Sequence, residues 1–269
     1  MSKQIILSIQ SAVMHGSVGN EAAMPVYQHL KQPAERLDTV RLAAHPGFGT
    51  SALSVTPPEE ISGLLDDYRR LASFADLAAV QTGYFGEHTQ IEPVARFIAE
   101  TQQAHSTFIY LLDPVLGDSG RLYVDKAILT VMRDALLPLA DIITPNQFEL
   151  GLLADTAITD ERKAVAAARQ LLNRRLQTIF ITGVTTADGQ IADIIVTDQA
   201  VEMITADRQA TGVSGSGDVL SALFLSAVVN NTPHTEAAKA ASQKTAHIIR
   251  LADTPLTMPV LRYIWEQSG

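Results

Sequence analysis

The sequence predicts an α/β protein, a three-layer α/β/α sandwich around a mostly parallel central sheet. Three observations carry that expectation. Short β-branched, apolar runs alternate with longer amphipathic ones, the pattern of strand–helix–strand units. Several runs are apolar throughout, as strands covered on both faces are. Polar segments follow the runs, and in such sheets ligands gather at the carboxyl ends of the strands.

The elements follow in order. IILSI at 5–9 reads as the first strand, and 21–30 as an amphipathic helix. TVRL at 39–42 precedes a helix over 59–74, and AAVQ at 78–81 precedes one over 89–103. TFIYLL at 107–112 leads to a helix over 125–137. DIIT at 141–144 leads to one over 161–175, and TIFIT at 178–182 is the sixth strand. Ile191–Thr197 pairs back on it across TTADGQ, where Asp188-Gly189 marks a tight turn. Val201–Thr205 extends a small antiparallel edge. No repeat, low-complexity tract or linker divides the chain, so residues 1–269 read as a single domain.

Composition removes several classes of function. The chain has 269 residues, 46% hydrophobic and 18% charged, which suits a large buried core. It has no cysteine, so it forms neither a disulfide nor a thiolate metal site. Net charge is −9, with no basic stripe, so nucleic acid is not an expected partner. The N-terminus has no signal-cleavage pattern, and the longest apolar stretch, 219–229, is too short to span a bilayer. The expectation is a cytoplasmic protein that does not engage a membrane.

The most informative stretch is TGVSGSGDVLSALFLSAVV at 211–229. Gly215 and Gly217 let the backbone approach a ligand closely, and the helix that follows opens with unpaired N–H groups and partial positive charge. Asp218 then has two readings: a carboxylate that stabilises the helix dipole, or a base beside a bound phosphate. A first-turn position implies a lowered proton affinity. In phosphoryl transfer, positioning and charge stabilisation supply most of the catalysis, so a weak base suffices. No G-x-x-x-x-G-K-[ST], G-x-S-x-G or H-E-x-x-H is present, and Leu220 stands where a dinucleotide fingerprint needs glycine.

Five blocks then match a known family. SIQSAVMHGSVGNEAA (8–23), QTGYFG (81–86), DPVLGDSGRLYV (113–124), ADIITPNQFEL (140–150) and SGSGD (214–218) occur in the family's order across nearly the whole chain. The sequence resembles the ribokinase-like superfamily and, within it, the pyridoxal (vitamin B6) kinases. That resemblance implies ATP-dependent phosphorylation of the 5′-hydroxymethyl group of pyridoxal, pyridoxine or pyridoxamine. It places the catalytic aspartate at Asp218 and the anion hole at Gly215, Ser216 and Gly217. The vitamer would meet Ser11, His45 and Tyr84, and ATP would meet Asp113, Asp118, Tyr123, Thr144 and Thr182. Asp113 and Glu149 would organise Mg2+, with a monovalent cation such as K+ around the phosphates. A homodimer with small-molecule partners only is implied as well.

Each residue keeps a structural alternative. Asp113 before Pro114 also reads as a turn cap, and Glu149 as a first-turn acid. Ser11 also reads as a turn cap and Tyr84 as a core-edge aromatic. His45 also reads as a loop histidine, and Tyr123 as structural. His15, His29, His88, His105, His234 and His247 are assigned to surfaces or helix faces. Ala12, the Ala43-Ala44-His45-Pro46 segment and Gly212 depart from the family pattern, which leaves a hydroxymethylpyrimidine kinase or a non-catalytic vitamer-binding homologue as alternatives.

Overall fold

Among the described residues, nine strands share one sheet. The structure, a computed structural model, describes residues 4–49, 52–105, 107–205, 213–253, 258–260 and 263. In chain order the strands are β1 (Ile5–His15), β2 (Ala34–Ala44), β3 (Leu53–Val55), β4 (Leu77–Thr82), β5 (Ile109–Leu112), β6 (Gly117–Asp118), β7 (Arg121–Leu122), β8 (Ile142–Ile143), β9 (Thr178–Thr185), β10 (Ile191–Thr197) and β11 (Val201–Thr205). The sheet runs β11-β10-β9-β8-β5-β4-β1-β2-β3, while β6 and β7 form a separate hairpin. From β2 to β9 all pairings are parallel; β3, β10 and β11 pair antiparallel at the two edges.

Helices cover both faces, which gives the three layers expected. α2 (Pro58–Tyr68), α3 (Ile91–Ala104), α4 (Lys126–Val131), α5 (Gln147–Leu153) and α6 (Glu161–Leu171) seal one face. Ile61, Val94, Phe97, Ile128, Leu150 and Ala168 supply its core. On the other face lie α1 (Asn20–His29), α7 (Ser216–Val229) and α8 (His234–Ile249), around Tyr27, Phe224 and Ala241. Ten of the fourteen residues of α7 are buried, because a helix apolar all round must be enclosed on every side. Its Phe224 ring meets Phe180 of β9 at 5.1 Å.

Several boundaries differ from the sequence expectation. The helix expected over 59–74 stops at Tyr68, where Arg70 and Leu71 donate to carbonyls three residues back, a tightening that ends helices. The one expected over 125–137 is α4 followed by a widened turn at Met132–Leu136 and a 3-10 turn bearing Pro138. The one expected over 161–175 ends at Leu171, after which the Asn173 side chain accepts from the Arg175 and Leu176 amides. α5 and α8 are additional. β1 runs on to His15, past a register shift between Gln10 and Ala12.

The chain leaves β1 in one direction to reach β2 and later returns on its other side to place β4. That reversal is a topological switch point, where such sheets hold their ligands. Among the described residues no helix is long and apolar enough to cross a membrane.

Candidate active site

Two helix N-termini converge at the switch point. Gly19 caps α1 with φ 56°, and Gly215 caps α7 with φ 89°. Both positions need glycine. A Cβ on Gly19 would stand 2.2 Å from the Ser11 carbonyl oxygen, and one on Gly215 would stand 2.0 Å from that of Ser17. The two loops are therefore in backbone contact, which brings their partial positive charges together.

Asp218 links the two loops. Its Oδ2 accepts the Gly19 N–H at 2.9 Å. Burial raises the proton affinity of this carboxyl, and the Gly19 bond only partly offsets it. The lowered affinity inferred from a first-turn position is thus corrected: enclosure between two loops outweighs the helix-end field, so Asp218 is a better base than its place in the helix implies. One of the three amides expected to form an anion hole is engaged within the chain. The Ser216 amide donates to the Val213 carbonyl at 3.0 Å. The amides of Gly217 and Asp218 lie in the first turn, where a helix offers no carbonyl partner.

Ser11 lies at the β1 irregularity and against Gly19. Tyr84 follows β4 next to Gly83, whose Cα packs on the Gln10 side chain. The Tyr84 carbonyl accepts from Thr39 Oγ1 at 2.6 Å, which ties it to β2. His45 follows the end of β2, and its Nδ1 accepts from Gly47 N at 3.1 Å. Burial lowers its pKa, which favours a neutral ring acting as a turn cap.

A second cluster sits at the ends of β5 and β8. Asp113 is buried, and its Oδ2 accepts from Ser221 Oγ at 2.6 Å. Ser221 Oγ lies 3.0 Å from Thr144 Oγ1. Burial, then the charges of Glu149 and Asp218, push the Asp113 pKa well up. These three acids therefore share one neighbourhood. Both oxygens of Glu149 are engaged: Oε1 accepts from Leu116 N at 2.8 Å, and Oε2 from Asn146 N at 2.9 Å. Its first-turn capping role is thus realised, in a reciprocal box with Asn146. Through Leu116, Glu149 also fixes the base of the β6–β7 hairpin that carries Asp118 and leads to Tyr123. Tyr123 is 55% exposed, and its pKa is raised by burial and by the nearby Asp118 and Glu149 charges. Thr182 bridges in parallel to Asn146, one strand further along.

Gly19, Asn20, Ser221 and Asn146 join this arrangement of candidates beyond those expected from sequence. Asn20 joins Ser8 at 2.8 Å and Asp38 at 2.7 Å beneath the switch point. Ser221 had one signal: a serine one turn after Asp218 in a helix whose other buried polar residue is Ser226. Gly212 lies outside the described residues.

Glu149 carries a pH prediction. Burial holds its carboxyl up to about 7, from an ordinary value of 4.5. A carboxyl raised on folding stabilises the fold below its unfolded pKa, and the contribution is lost as pH rises through the folded value. Glu149→Gln is therefore expected to flatten the fall in Tm of the nucleotide-free protein between about pH 5 and pH 7.5, by on the order of 5 °C. An unchanged slope in a fluorimetric melt contradicts this.

Known proteins bear on the arrangement. A family model described as phosphomethylpyrimidine kinase matches residues 49–259. A pyridoxine/pyridoxal/pyridoxamine kinase of Bordetella avium (strain 197N) is 31% identical over 262 residues, 94% of this chain and 88% of that relative. The solved structure of Leishmania donovani pyridoxal kinase in complex with ADP and pyridoxine superposes with a TM-score of 0.86 at 26% identity, over 98% of this chain and 95% of that one. Entamoeba histolytica pyridoxal kinase gives 0.91 at 23% identity, over 100% and 96%, a likeness of fold.

Proposed function

Because the chain belongs to the phosphomethylpyrimidine kinase family and, within it, to the pyridoxal kinases, we propose that it transfers the terminal phosphoryl group of ATP to the 5′-hydroxymethyl oxygen of pyridoxal, pyridoxine or pyridoxamine. The observation that carries the reading is Asp218, held by Gly19 between two converging helix N-termini. A carboxylate there can aim and deprotonate an alcohol, while first-turn amides take the charge of the phosphoryl oxygens.

In this reading the 5′-oxygen bonds to the terminal phosphorus as its proton passes to Asp218. The bond from that phosphorus to the bridging oxygen breaks, and ADP leaves. The amides of Gly217 and Asp218 hold the transferred group, and the positive ends of α1 and α7 oppose its charge. Ser11 and Tyr84 hold the pyridine ring. Thr144, Asp118, Tyr123 and Thr182 line the path of the nucleotide away from Asp218.

Mg2+ fits the second cluster by donor chemistry. Asp113, Thr144, Ser221 and Glu149 offer only hard oxygens, which suit this ion. Among the described residues no group of three acidic, histidine or cysteine side chains forms a metal cage. Asp113 and Glu149 would thus hold the ion together with phosphate oxygens and water, as magnesium commonly is held. Once bound, it would neutralise phosphate charge.

The test is a panel of pyridoxal, pyridoxine, pyridoxamine and hydroxymethylpyrimidine with ATP and magnesium, with products identified by mass spectrometry. A phosphorylated pyridine as the fastest product supports the proposal. Faster phosphorylation of hydroxymethylpyrimidine, the alternative that the family description keeps open, overturns it, and so does vitamer binding without ATP consumption.

A further inference from the structure

β9 does not run evenly along β10. Ala192 pairs with Val184 and Ile194 with Ile181, so Thr182 and Gly183 together face the single residue Asp193. This is a β-bulge, an irregularity that re-aims side chains and is frequent beside functional sites. Gly183 sits in it at φ +65°. The Gly183 amide is taken by a side chain: it donates to Asp193 Oδ1 at 3.0 Å. The other oxygen, Oδ2, accepts from Ser242 Oγ of α8 at 2.6 Å. Asp193 is 1% exposed and Ser242 fully buried.

One carboxyl group therefore joins the bulge to the helix layer behind it. A buried carboxyl is an expensive way to replace one rung of a sheet, and it persists where its partners are fixed by it. What it fixes here is the backbone after Thr182. Thr182 lies within β9, beyond the end of β8, and is bridged to Asn146, whose own side chain caps α5 and accepts Glu149 N at 2.9 Å. Along the sheet the order is β5 with Asp113, β8 leading to Thr144, then β9 with Thr182. At about 4.8 Å per strand, Thr182 stands roughly 10 Å along the row from Asp113. In the kinase reading, a nucleotide whose terminal phosphate lies near Asp113 would extend along this row.

We infer that Asp193 is a positioning residue for the nucleoside end of ATP: it latches the Thr182–Gly183 bulge into the shape that receives the nucleotide. The inference rests on the kinase reading above, and on the bulge geometry independently of which alcohol is phosphorylated.

The test compares Asp193→Ala, Asp193→Asn and Ser242→Ala for ADP affinity by calorimetry, for KM of ATP and of pyridoxal, and for Tm. Asp193→Ala is expected to weaken ADP binding and raise KM for ATP on the order of 10-fold, with KM for pyridoxal and kcat within about 2-fold, the signature of lost uniform binding. Asparagine keeps an acceptor for the Gly183 amide, so Asp193→Asn is expected to restore most of the affinity. Ser242→Ala leaves that bond in place, so it is expected to lower Tm with little change in ADP affinity.

Equal losses for ADP and pyridoxal in Asp193→Ala, or unchanged ADP affinity, overturn the inference. Should Asp193→Ala fail to fold, Gly183→Ala takes its place, because a Cβ there meets no atom within 4 Å while the positive φ opposes it. Unchanged ADP affinity in that variant also overturns the inference. Failure of the kinase reading is separate, since it appears as wild-type protein that yields no phosphorylated pyridine.

Discussion

Asp218→Asn is expected to lower turnover at least about 10²-fold, the lower end of what a positioned base contributes. KM for ATP and for pyridoxal should stay within a few-fold. The asparagine oxygen can still accept the Gly19 amide that holds Asp218 Oδ2 at 2.9 Å, so the two loops should remain docked. What is lost is the negative charge and the site for the departing proton. Initial rates at saturating substrates, together with calorimetric binding of each substrate alone, separate the two effects. A loss of kcat with binding kept marks an interaction made in the transition state. Turnover at the wild-type rate would remove Asp218 from the reaction. A collapse of binding instead would make it a structural link between α1 and α7.

Gly215→Ala should produce the other large effect. The residue is left-handed, at φ +89°, and an added Cβ would lie 2.0 Å from the Ser17 carbonyl oxygen and 3.3 Å from Met258 Cβ. The backbone strain alone amounts to about 1–2 kcal/mol. The clash can be relieved only if α7 moves away from the Ser17–Gly19 loop, which displaces Asp218 from beneath the first-turn amides. A misplacement of about 1 Å can lower a rate on the order of 10²-fold. The expected outcome is a fall in kcat/KM of at least about 30-fold, within that range, together with a lower Tm. Gly217→Ala is the control for the fold: its Cβ meets no atom within 4 Å, so Tm should hold. Equal thermal losses in the two variants would contradict the loop contact as the reason for glycine at 215.

The sequence carried the layer order well because buried parallel strands are apolar on both faces. Ile191–Thr197 and Val201–Thr205 match the observed strands residue for residue, since the Asp188-Gly189 turn fixes where the pair begins. α5 was too short for a helical period to register. α8 is rich in alanine and buries a face of small residues, so its pattern is weak. As candidates, Tyr84 was legible because it follows β4, Ser11 because it follows the apolar run 5–9, and Asp218 because it follows the glycines that open α7.

Long-range pairing explains what sequence did not reveal. The Gly19–Asp218 bond joins residues 199 apart, and the Ser221–Asp113 bond joins residues 108 apart. No local pattern encodes either. The raised proton affinity of Asp218 has the same origin, since burial by a distant loop is invisible in the first turn of a helix. The engagement of Glu149 on two backbone segments is likewise a product of the folded β6–β7 hairpin.

The most direct measurement is a structure of the protein with pyridoxal and a non-hydrolysable ATP analogue. The 5′-oxygen is expected within about 2.6–3.2 Å of Asp218, and the terminal phosphate over the first-turn amides of α7. A bound vitamer whose hydroxymethyl group points away from Asp218, with the triphosphate elsewhere, would contradict it.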